Sequence, residues 1–277
     1  MVDSNVESIV NGETLMPGIT VVMPCLNEEA NLSDAASSTL QALSAKNIDG
    51  ELIIVNDGST DGTLRVAQAL AATDPRVKVL SHPRPQGIGA SFLHGVREAS
   101  KSHVTMFPGD NENDPDDALT YFYLTRDVDI VVPFIHNVEI RSRVRRIISS
   151  IYRFIINVSF GMNLNYTNGT VIYNTAVLRE VNAKSRGFFY QAELLIRVIR
   201  RGYLYAETPH FLSDRKGGKT KALTLRSFLS IVRAYLHLVF DIHILRSEGV
   251  RDMRLNPASA TYRRYQQLGA KRIGIAA

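Results

Sequence analysis

The chain has 277 residues with a formal net charge of +5, and 45% of its residues are hydrophobic while 21% are charged. This composition excludes an intrinsically disordered chain and predicts one large α/β domain with a smaller appendage. The single cysteine, Cys25, excludes both a disulfide framework and a metal site built from cysteines.

Short apolar runs rich in β-branched residues predict five strands that alternate with helix-length segments. The strands are predicted at 19–23, 51–55, 77–80, 103–107 and 129–133, and the helices at 30–45, 62–72, 89–100 and 115–125. This alternation predicts a mostly parallel sheet with right-handed crossovers, flanked by helices. Ligands of such sheets bind beyond the carboxyl ends of the strands.

The pattern changes after about residue 135, where two amphipathic helices are predicted. The first, at 141–160, combines five arginines with an apolar stripe, and the second spans 225–245. A strand at 170–173, a helix near 190–201 and a strand at 203–208 are predicted between them. The predicted division is a flexible lead-in at 1–17, a catalytic domain at 18–222, and an amphipathic helix with a poorly ordered basic tail at 223–277.

Polar clusters follow the first two predicted strands. Asn27 and Glu28 follow the first strand, and Asp57 and Asp61 follow the second, beside glycines that allow tight turns. Carboxylates at strand ends can accept hydrogen bonds from a base or a ribose. The alternative is that these aspartates cap turns and helices.

An acidic turn follows the fourth predicted strand. Asp110 and Glu112, two residues apart, can both point at one hard cation, and Mg²⁺ or Mn²⁺ combines one or two carboxylates with substrate phosphates. Asp114 before Pro115 is also expected to cap a helix. We expect the turn to serve both purposes.

The order of these motifs resembles the family 2 glycosyltransferases. It runs PCLNEE at 24–29, VNDGSTDGT at 55–63, QGIGASFLHG at 86–95, and then the acidic turn. Over residues 19–220 the chain is most similar to the dolichol-phosphate mannose synthase and polyprenyl-phosphate glycosyltransferase branch. The resemblance implies a glycosyltransferase-A fold and a hexosyltransferase that takes its sugar from a UDP- or GDP-sugar, inverts the anomeric carbon and uses Mg²⁺ or Mn²⁺.

The resemblance also assigns residues on the donor side. The nucleoside pocket would be lined by Pro24, Leu26, Asn27, Glu28, Asp57, Gly87 and Ala90. Asp110 would bind the metal and the diphosphate, and Glu112 would lie where the branch often has a metal-binding glutamine. The first aspartate of the family's Asp-x-Asp pair falls on Pro108 here. Either Asp110 and Glu112 alone hold the metal, or the dependence on metal is weakened.

On the acceptor side, Thr167–Thr170 resembles the family's turn near the donor sugar. Thr170 and the basic loop residues Arg215, Lys219 and Lys221 would contact phosphate, since arginine and lysine both suit it. Glu193 would be the general base if the acceptor is a hydroxyl, whereas a lipid phosphate needs none. The alternative for Glu193 is an exposed helix position without a catalytic role.

The two amphipathic helices suggest contact with an anionic membrane surface. The expected contacts are Arg141, Arg143, Arg145, Arg146 and Arg153. Alternatively these helices pack on the core or on a second subunit. Because no stretch is apolar enough to span a bilayer and no signal peptide is evident, we expect a cytoplasmic enzyme, peripheral on the inner face of the membrane.

Rival functions are a nucleotide-sugar pyrophosphorylase and a non-catalytic nucleotide- or lipid-binding relative. A pyrophosphorylase would have a glycine-rich, lysine-containing loop after the first strand. The segment PCLNEE, which follows that strand here, is not such a loop. Nucleic-acid binding is not expected, since the arginines belong to no recognised module. The sequence leaves open whether the chain forms a homo-oligomer.

Overall fold

The computed structural model describes residues 9–10, 13–14, 17–211, 225–245 and 255–272. The strands are β1 (Ile9–Val10), β2 (Glu13–Thr14), β3 (Ile19–Cys25), β4 (Gly50–Asn56), β5 (Val77–Ser81), β6 (His103–Met106), β7 (Ile130–Ile135), β8 (Ile172–Asn174) and β9 (Tyr205–His210). The helices are α1 (Leu32–Ala45), α2 (Thr63–Thr73), α3 (Ile88–Glu98), α4 (Pro115–Leu119), α5 (Arg143–Phe160), α6 (Thr175–Arg179), α7 (Tyr190–Arg200), α8 (Leu225–Val239) and α9 (Ala260–Arg272).

The main sheet has seven strands in the order β5-β4-β3-β6-β8-β7-β9. All are parallel except β8, which runs antiparallel to both β6 and β7. The central strands β3 and β4 are buried along their whole length, as expected for a sheet covered on both faces. The predicted mostly parallel α/β sheet is therefore confirmed.

Helices cover both faces of the sheet. One core joins inward residues such as Val21 and Ile54 to α1 and α2, and the other joins Val22 and Val55 to α3, α6 and α7. Alternate residues of each strand thus serve opposite cores, following the period of two in an extended chain.

A third apolar cluster attaches α5 and α8 to the outer side of α7. Ile156 and Phe160 of α5 meet Ile196 of α7 and Leu238 of α8. The Ser159 and Tyr235 hydroxyls, from α5 and α8, are hydrogen bonded at 2.7 Å. We call α5 and α8 the outer helix layer.

Several predicted boundaries are wrong. The helix predicted at 115–125 is interrupted after Leu119 and continues as a 3₁₀ turn at 122–126, where the three-residue spacing buries both Leu119 and Phe122. The helix predicted at 225–245 becomes a π-helical turn at 240–244. The strand predicted at 170–173 is observed at 172–174.

The prediction of a poorly ordered tail from residue 246 onward, within the segment 223–277, is also wrong in part, because residues 260–272 form α9. The buried Asp129 accepts hydrogen bonds from the N–H groups of Ala260 and Thr261 at 2.7 and 3.1 Å. A carboxylate at this position satisfies the free N–H groups of a helix start. This contact docks α9 beside the beginning of β7.

Candidate active site

The loops that carry Asp57 and Asp110 lie on either side of one strand end. The N–H of Asp57, after β4, donates to the Cys25 carbonyl at 2.8 Å, and the N–H of Gly109, after β6, donates to the Pro24 carbonyl at 3.1 Å. A Cβ on Gly109 would lie 2.5 Å from Cys25 Sγ, so any larger residue there would have to displace the thiol. The structure therefore brings both loops to the carboxyl edge of the sheet.

Acidic side chains surround this strand end. Burial and the negative charges of Glu28 and Asp110 together raise the pKa of Cys25 to about 12, and burial has the largest effect. Both carboxylates must lie near the thiol to have this effect, because Coulomb interactions weaken with distance. Glu28 and Asp110 thus both lie near the Cys25 thiol.

The loops after β3 and β4 are joined by reciprocal hydrogen bonds. Asn27, in a left-handed backbone conformation (φ 58°), donates its N–H to Ser59 Oγ at 3.0 Å and accepts the Thr60 N–H on its amide oxygen at 2.9 Å. The Glu28 N–H donates to Thr63 Oγ1 at 2.9 Å. The predicted donor residues Asn27 and Glu28 therefore also fix the shape of the edge.

Asp57 is a buried hydrogen-bond acceptor. Its Oδ1 lies 2.7 Å from His82 Nδ1 and accepts the Gln86 N–H at 2.8 Å, while Oδ2 accepts the Gly87 N–H at 2.8 Å. Burial raises the pKa of Asp57, but these hydrogen bonds outweigh it, so the net pKa is lowered and the carboxylate stays charged. Asp57 thereby holds the loop after β5 against the loop after β4.

A second histidine extends this arrangement. His82 Nε2 lies 2.9 Å from His94 Nδ1, and the two rings stack with centroids 5.1 Å apart. Burial lowers the pKa of His94, and the neighbouring His82 and Arg97 lower it further. Sequence reasoning missed both histidines, because nothing local to either marks its pairing with Asp57.

Gly87 and Ala90, predicted beside the nucleoside, lie where α3 begins. Gly87 has φ 100°, and a Cβ there would lie 2.7 Å from the Arg186 carbonyl oxygen. The same carbonyl accepts the Gly89 N–H at 2.9 Å. This turn is therefore held between Asp57 on one side and the backbone of Arg186 on the other.

One of the two functions expected of the acidic turn, the helix cap, is observed, while its metal site stays a prediction. Asp114 caps α4 by accepting the N–H groups of Asp116 and Asp117, which confirms the cap. Asp110 is half-buried and accepts the Glu112 N–H at 3.1 Å, while Glu112 is exposed. No group of three or more potential metal ligands occurs among the described residues. A pair of carboxylates nevertheless suits Mg²⁺ or Mn²⁺ that is also bound to substrate phosphate.

Of the predicted phosphate contacts, Thr170 is described and lies at the same edge. Because β8 is antiparallel to β6, its first residue lies at the carboxyl edge, and Thr170 precedes that residue by two positions. Strand β9 ends there at His210, whose ring is paired with Asp117. The predicted phosphate contacts that follow β9 lie outside the described residues; they are Arg215, Lys219 and Lys221.

Glu193 is neither exposed nor open to the edge. It is 2% exposed and accepts the N–H groups of Lys184 and Ser185 at 3.1 and 2.8 Å. It also forms an ion pair with Arg197 at 2.8 Å. The alternative of an exposed helix position is therefore wrong, while the role of general base stays a prediction that these three donors do not favour.

The five arginines predicted at a membrane have different surroundings. Arg141 lies 5.7 Å from the centre of the Tyr166 ring, and Arg153 donates to the Asn165 carbonyl at 3.3 Å. The remaining three are Arg143 and Arg146, which are exposed, and Arg145, which is half-buried.

The outer helix layer exposes apolar side chains. The apolar stripe of α5 consists of Val144, Ile147, Ile148, Ile151, Phe154, Ile155 and Val158, which are 42–67% exposed. Their spacing of three or four residues places them on one side of the helix. On α8, the apolar side chains of Phe228, Leu229 and Leu236 are also exposed. In the described part of the chain, no helix is both long and apolar enough to cross a bilayer.

Comparison with known sequences identifies the family. Residues 20–184 match the glycosyl transferase family 2 domain, which is more than half of the chain. The chain belongs to glycosyl transferase family 2. The matched segment contains Asp57, Asp110 and the loops that meet beside Cys25, so the candidate donor site of this family 2 chain lies within the family domain.

Two curated relatives of this family 2 chain cover 73% of it. An undecaprenyl-phosphate mannosyltransferase of Micrococcus luteus is 26% identical over 215 residues, which are 86% of that protein. A polyprenol monophosphomannose synthase of Mycolicibacterium smegmatis is 28% identical over 220 residues, which are 79% of that protein. These relatives support the prediction of a hexosyltransferase.

Solved structures support the fold. Glucosyl-3-phosphoglycerate synthase of Mycobacterium tuberculosis in complex with UDP has a TM-score of 0.60 at 21% identity, with 80% of each chain covered. The same enzyme in complex with Mn²⁺, UDP and glucosyl-3-phosphoglycerate has a TM-score of 0.59 at 20% identity, again over 80% of each chain. The predicted glycosyltransferase-A fold is thus confirmed.

Proposed function

We propose that this family 2 enzyme transfers a hexosyl group from a UDP- or GDP-sugar to a polyprenyl phosphate at a membrane surface, with inversion at the anomeric carbon. The observation that carries the donor half is the meeting of the Asp57 and Asp110 loops on either side of Cys25. One loop provides a buried carboxylate beside a glycine turn, and the other provides the acidic turn. This combination suits a nucleoside diphosphate and its cation.

Asp110 and Glu112 would hold Mg²⁺ or Mn²⁺ in this proposal. Bound there, the cation would neutralise negative charge on the departing nucleoside diphosphate. Arg215 and Lys221, which follow β9 in the chain, would add positive charge to the same leaving group. Lys219 and Thr170 would contact phosphate beside them.

The acceptor is assigned from the chemistry of the site and from the relatives. A phosphate monoester is already anionic at neutral pH, so its oxygen can attack the anomeric carbon without a general base. As the new carbon–oxygen bond forms on one face of the sugar, the bond to the diphosphate breaks on the opposite face. The burial of Glu193 under three donors favours this acceptor over a hydroxyl, which needs a base.

The outer helix layer supports contact with a membrane. Strand β7 ends at the carboxyl edge, and the chain continues from it through residues 138–140 into α5. The start of α5 carries exposed Arg143 and Arg146, and its apolar stripe faces outward. Arginine beside an exposed apolar surface suits anionic lipid, which would place a lipid acceptor near the donor. These features support the proposal of a peripheral enzyme on the inner face of the membrane.

The test is transfer itself. Purified protein would be mixed with UDP- or GDP-hexoses, Mn²⁺ and vesicles containing polyprenyl phosphate, and the glycolipid and released nucleoside diphosphate would be measured. We expect Asp110→Asn to lower turnover at least about 100-fold, because it removes charge that binds the cation. Asp116→Asn is the control, since Asp116 lies in the same region but forms an exposed ion pair with Lys46.

Three results would contradict the proposal. Wild-type rates in Asp110→Asn would exclude the assigned cation site, and full activity in EDTA would exclude the cation. Transfer to a sugar hydroxyl but not to polyprenyl phosphate would show that the proposed lipid acceptor is wrong.

A further inference from the structure

A buried charged cluster connects the outer helix layer to α7. Glu193, Arg197 and Asp241 are each 2–3% exposed. Arg197 pairs with Glu193 at 2.8 Å and with Asp241 at 2.9 Å, and Lys184 pairs with Asp241 at 2.7 Å. Buried ion pairs contribute little net stability, because the loss of hydration offsets their attraction. The cluster therefore calls for an explanation other than stability.

At one end, the cluster fixes a backbone segment beside the donor site. Glu193 accepts the N–H groups of Lys184 and Ser185, so it holds the segment that leads into Arg186. The Arg186 carbonyl oxygen in turn accepts the Gly89 N–H and lies 2.7 Å from the position that a Cβ on Gly87 would take. Glu193 thus supports the side of the glycine turn that faces away from Asp57.

At the other end, the cluster depends on an irregular helix. Asp241 lies in the π-helical turn at 240–244, which directly follows α8. Such turns are uncommon and often occur at functional sites. The neighbouring Phe240 is exposed, whereas Asp241 is buried against Arg197. The turn therefore joins a residue facing outward to a residue of the cluster.

We propose that the Glu193–Arg197–Asp241 cluster is a positioning device that sets the glycine turn of the donor site and makes its geometry depend on α8. Glu193 then acts through the Arg186 backbone and does not touch the reacting atoms. The inference rests on the proposed function, because the glycine turn is assigned to the nucleotide.

The experiment measures binding of UDP and of GDP with Mn²⁺ to the full chain by calorimetry. We expect Glu193→Gln and Asp241→Asn each to raise the Kd of the preferred nucleotide about tenfold, which corresponds to about 1.4 kcal/mol. At saturating donor, kcat should change less than about fivefold, and the pH profile of kcat should keep its shape. If Glu193 were a general base, its loss would instead lower kcat by a factor of about 10²–10⁴ and remove one limb of the pH profile of kcat.

Glu51→Gln is the matched control. Glu51 is also a buried carboxylate that pairs with a lysine (Lys78) and accepts a backbone N–H (Ser100), but it lies near the amino ends of the strands. We expect it to lower stability without changing the Kd. If Asp241→Asn does not fold, Lys184→Met tests the same link, because its side chain is half-exposed. We expect Lys184→Met also to raise the Kd of the preferred nucleotide.

The outcomes separate the two proposals. A wild-type chain that binds neither nucleotide overturns the proposed function, and the positioning role with it. Nucleotide binding by the wild type together with unchanged Kd values in the cluster variants overturns the positioning role alone. A large loss of kcat at unchanged Kd in Glu193→Gln would also overturn the positioning role. It would indicate instead that Glu193 is a general base.

Discussion

Asp57 has a structural task that its position in the motif does not reveal. It holds three groups of the following loop, from His82, Gln86 and Gly87, in addition to its expected role in the nucleoside pocket. A carboxylate only accepts hydrogen bonds, whereas an asparagine would turn an N–H₂ group toward at least one of these donors. The residue is therefore sensitive to replacement even by a side chain of the same shape.

We expect Asp57→Asn to lower the free energy of unfolding at pH 7 by about 1–3 kcal/mol, since a buried donor is left facing a donor. The pKa of Asp57 is lowered in the folded state, so its contribution is present above the unfolded pKa and is lost as pH falls through the folded one. The loss of stability caused by Asp57→Asn should therefore become smaller in acid. Urea unfolding at pH 7 and below pH 4 would measure it.

Asp49→Asn is the control for that experiment, because Asp49 pairs with Lys101 at an exposed position. It should change stability by less than about 1 kcal/mol. An equal effect of the two substitutions would contradict the structural role of Asp57.

Residues with local signals were predictable, and residues paired across the chain were not. Asp57 and Asp110 stand in turn motifs directly after strands, which marks them in the sequence. The partners Arg197 and Asp241 are far apart in the chain and each looks like an ordinary residue of an amphipathic helix. The family resemblance marks Glu193, but no sequence pattern reveals that it is buried and accepts the N–H groups of Lys184 and Ser185.

At the scale of elements, periodicity predicted the long strands and helices well. It failed where tertiary contacts determine the geometry. Strand β8 has three residues, and its direction follows from its neighbours β6 and β7 rather than from its composition. Helix α9 is polar and depends on Asp129 for its start, so it has little signal of its own.

The apolar stripe of α5 leads to a prediction for vesicle binding. Replacing Ile151 and Phe154 together by serine should weaken binding to anionic vesicles at least about tenfold, because each apolar side chain that enters lipid contributes about 1–3 kcal/mol. Both side chains are more than half exposed, so the fold should persist. Vesicle flotation measures the change.

The matched control replaces Tyr265 and Leu268 by serine, since these are equally exposed apolar side chains on α9. These two replacements should leave vesicle binding unchanged. A stripe variant that floats like the wild type would exclude the stripe as the lipid contact. A shift from dimer to monomer in that variant, without any vesicle binding by the wild type, would assign the stripe to a second subunit.

For the whole molecule, the sheet edge and the site within it act as one unit, so a bound nucleotide should stabilise the entire fold. At a concentration of about 100 times Kd, a nucleotide adds about 2.7 kcal/mol. For a chain of this size, that should raise Tm by about 5–10 °C. Melting curves with UDP or GDP and Mn²⁺ would measure the shift and identify the preferred base.

EDTA should remove most of that shift, because two carboxylates and a diphosphate repel one another without a cation. A shift of the same size in EDTA would contradict metal-assisted binding. ADP serves as the control nucleotide, and an equal shift with ADP would indicate that the pocket does not select the base.

The pairing of β6 with β8 has a consequence for synthesis of the chain. Strands β3 to β6 come from consecutive parts of the first half, so they can assemble as soon as that half leaves the ribosome. The partner of β6 follows only after residues 107–171 have been made. Until then β6 is an open edge that other nascent chains can join. Slower translation just after β6 would prolong this exposure and should lower the yield of native protein.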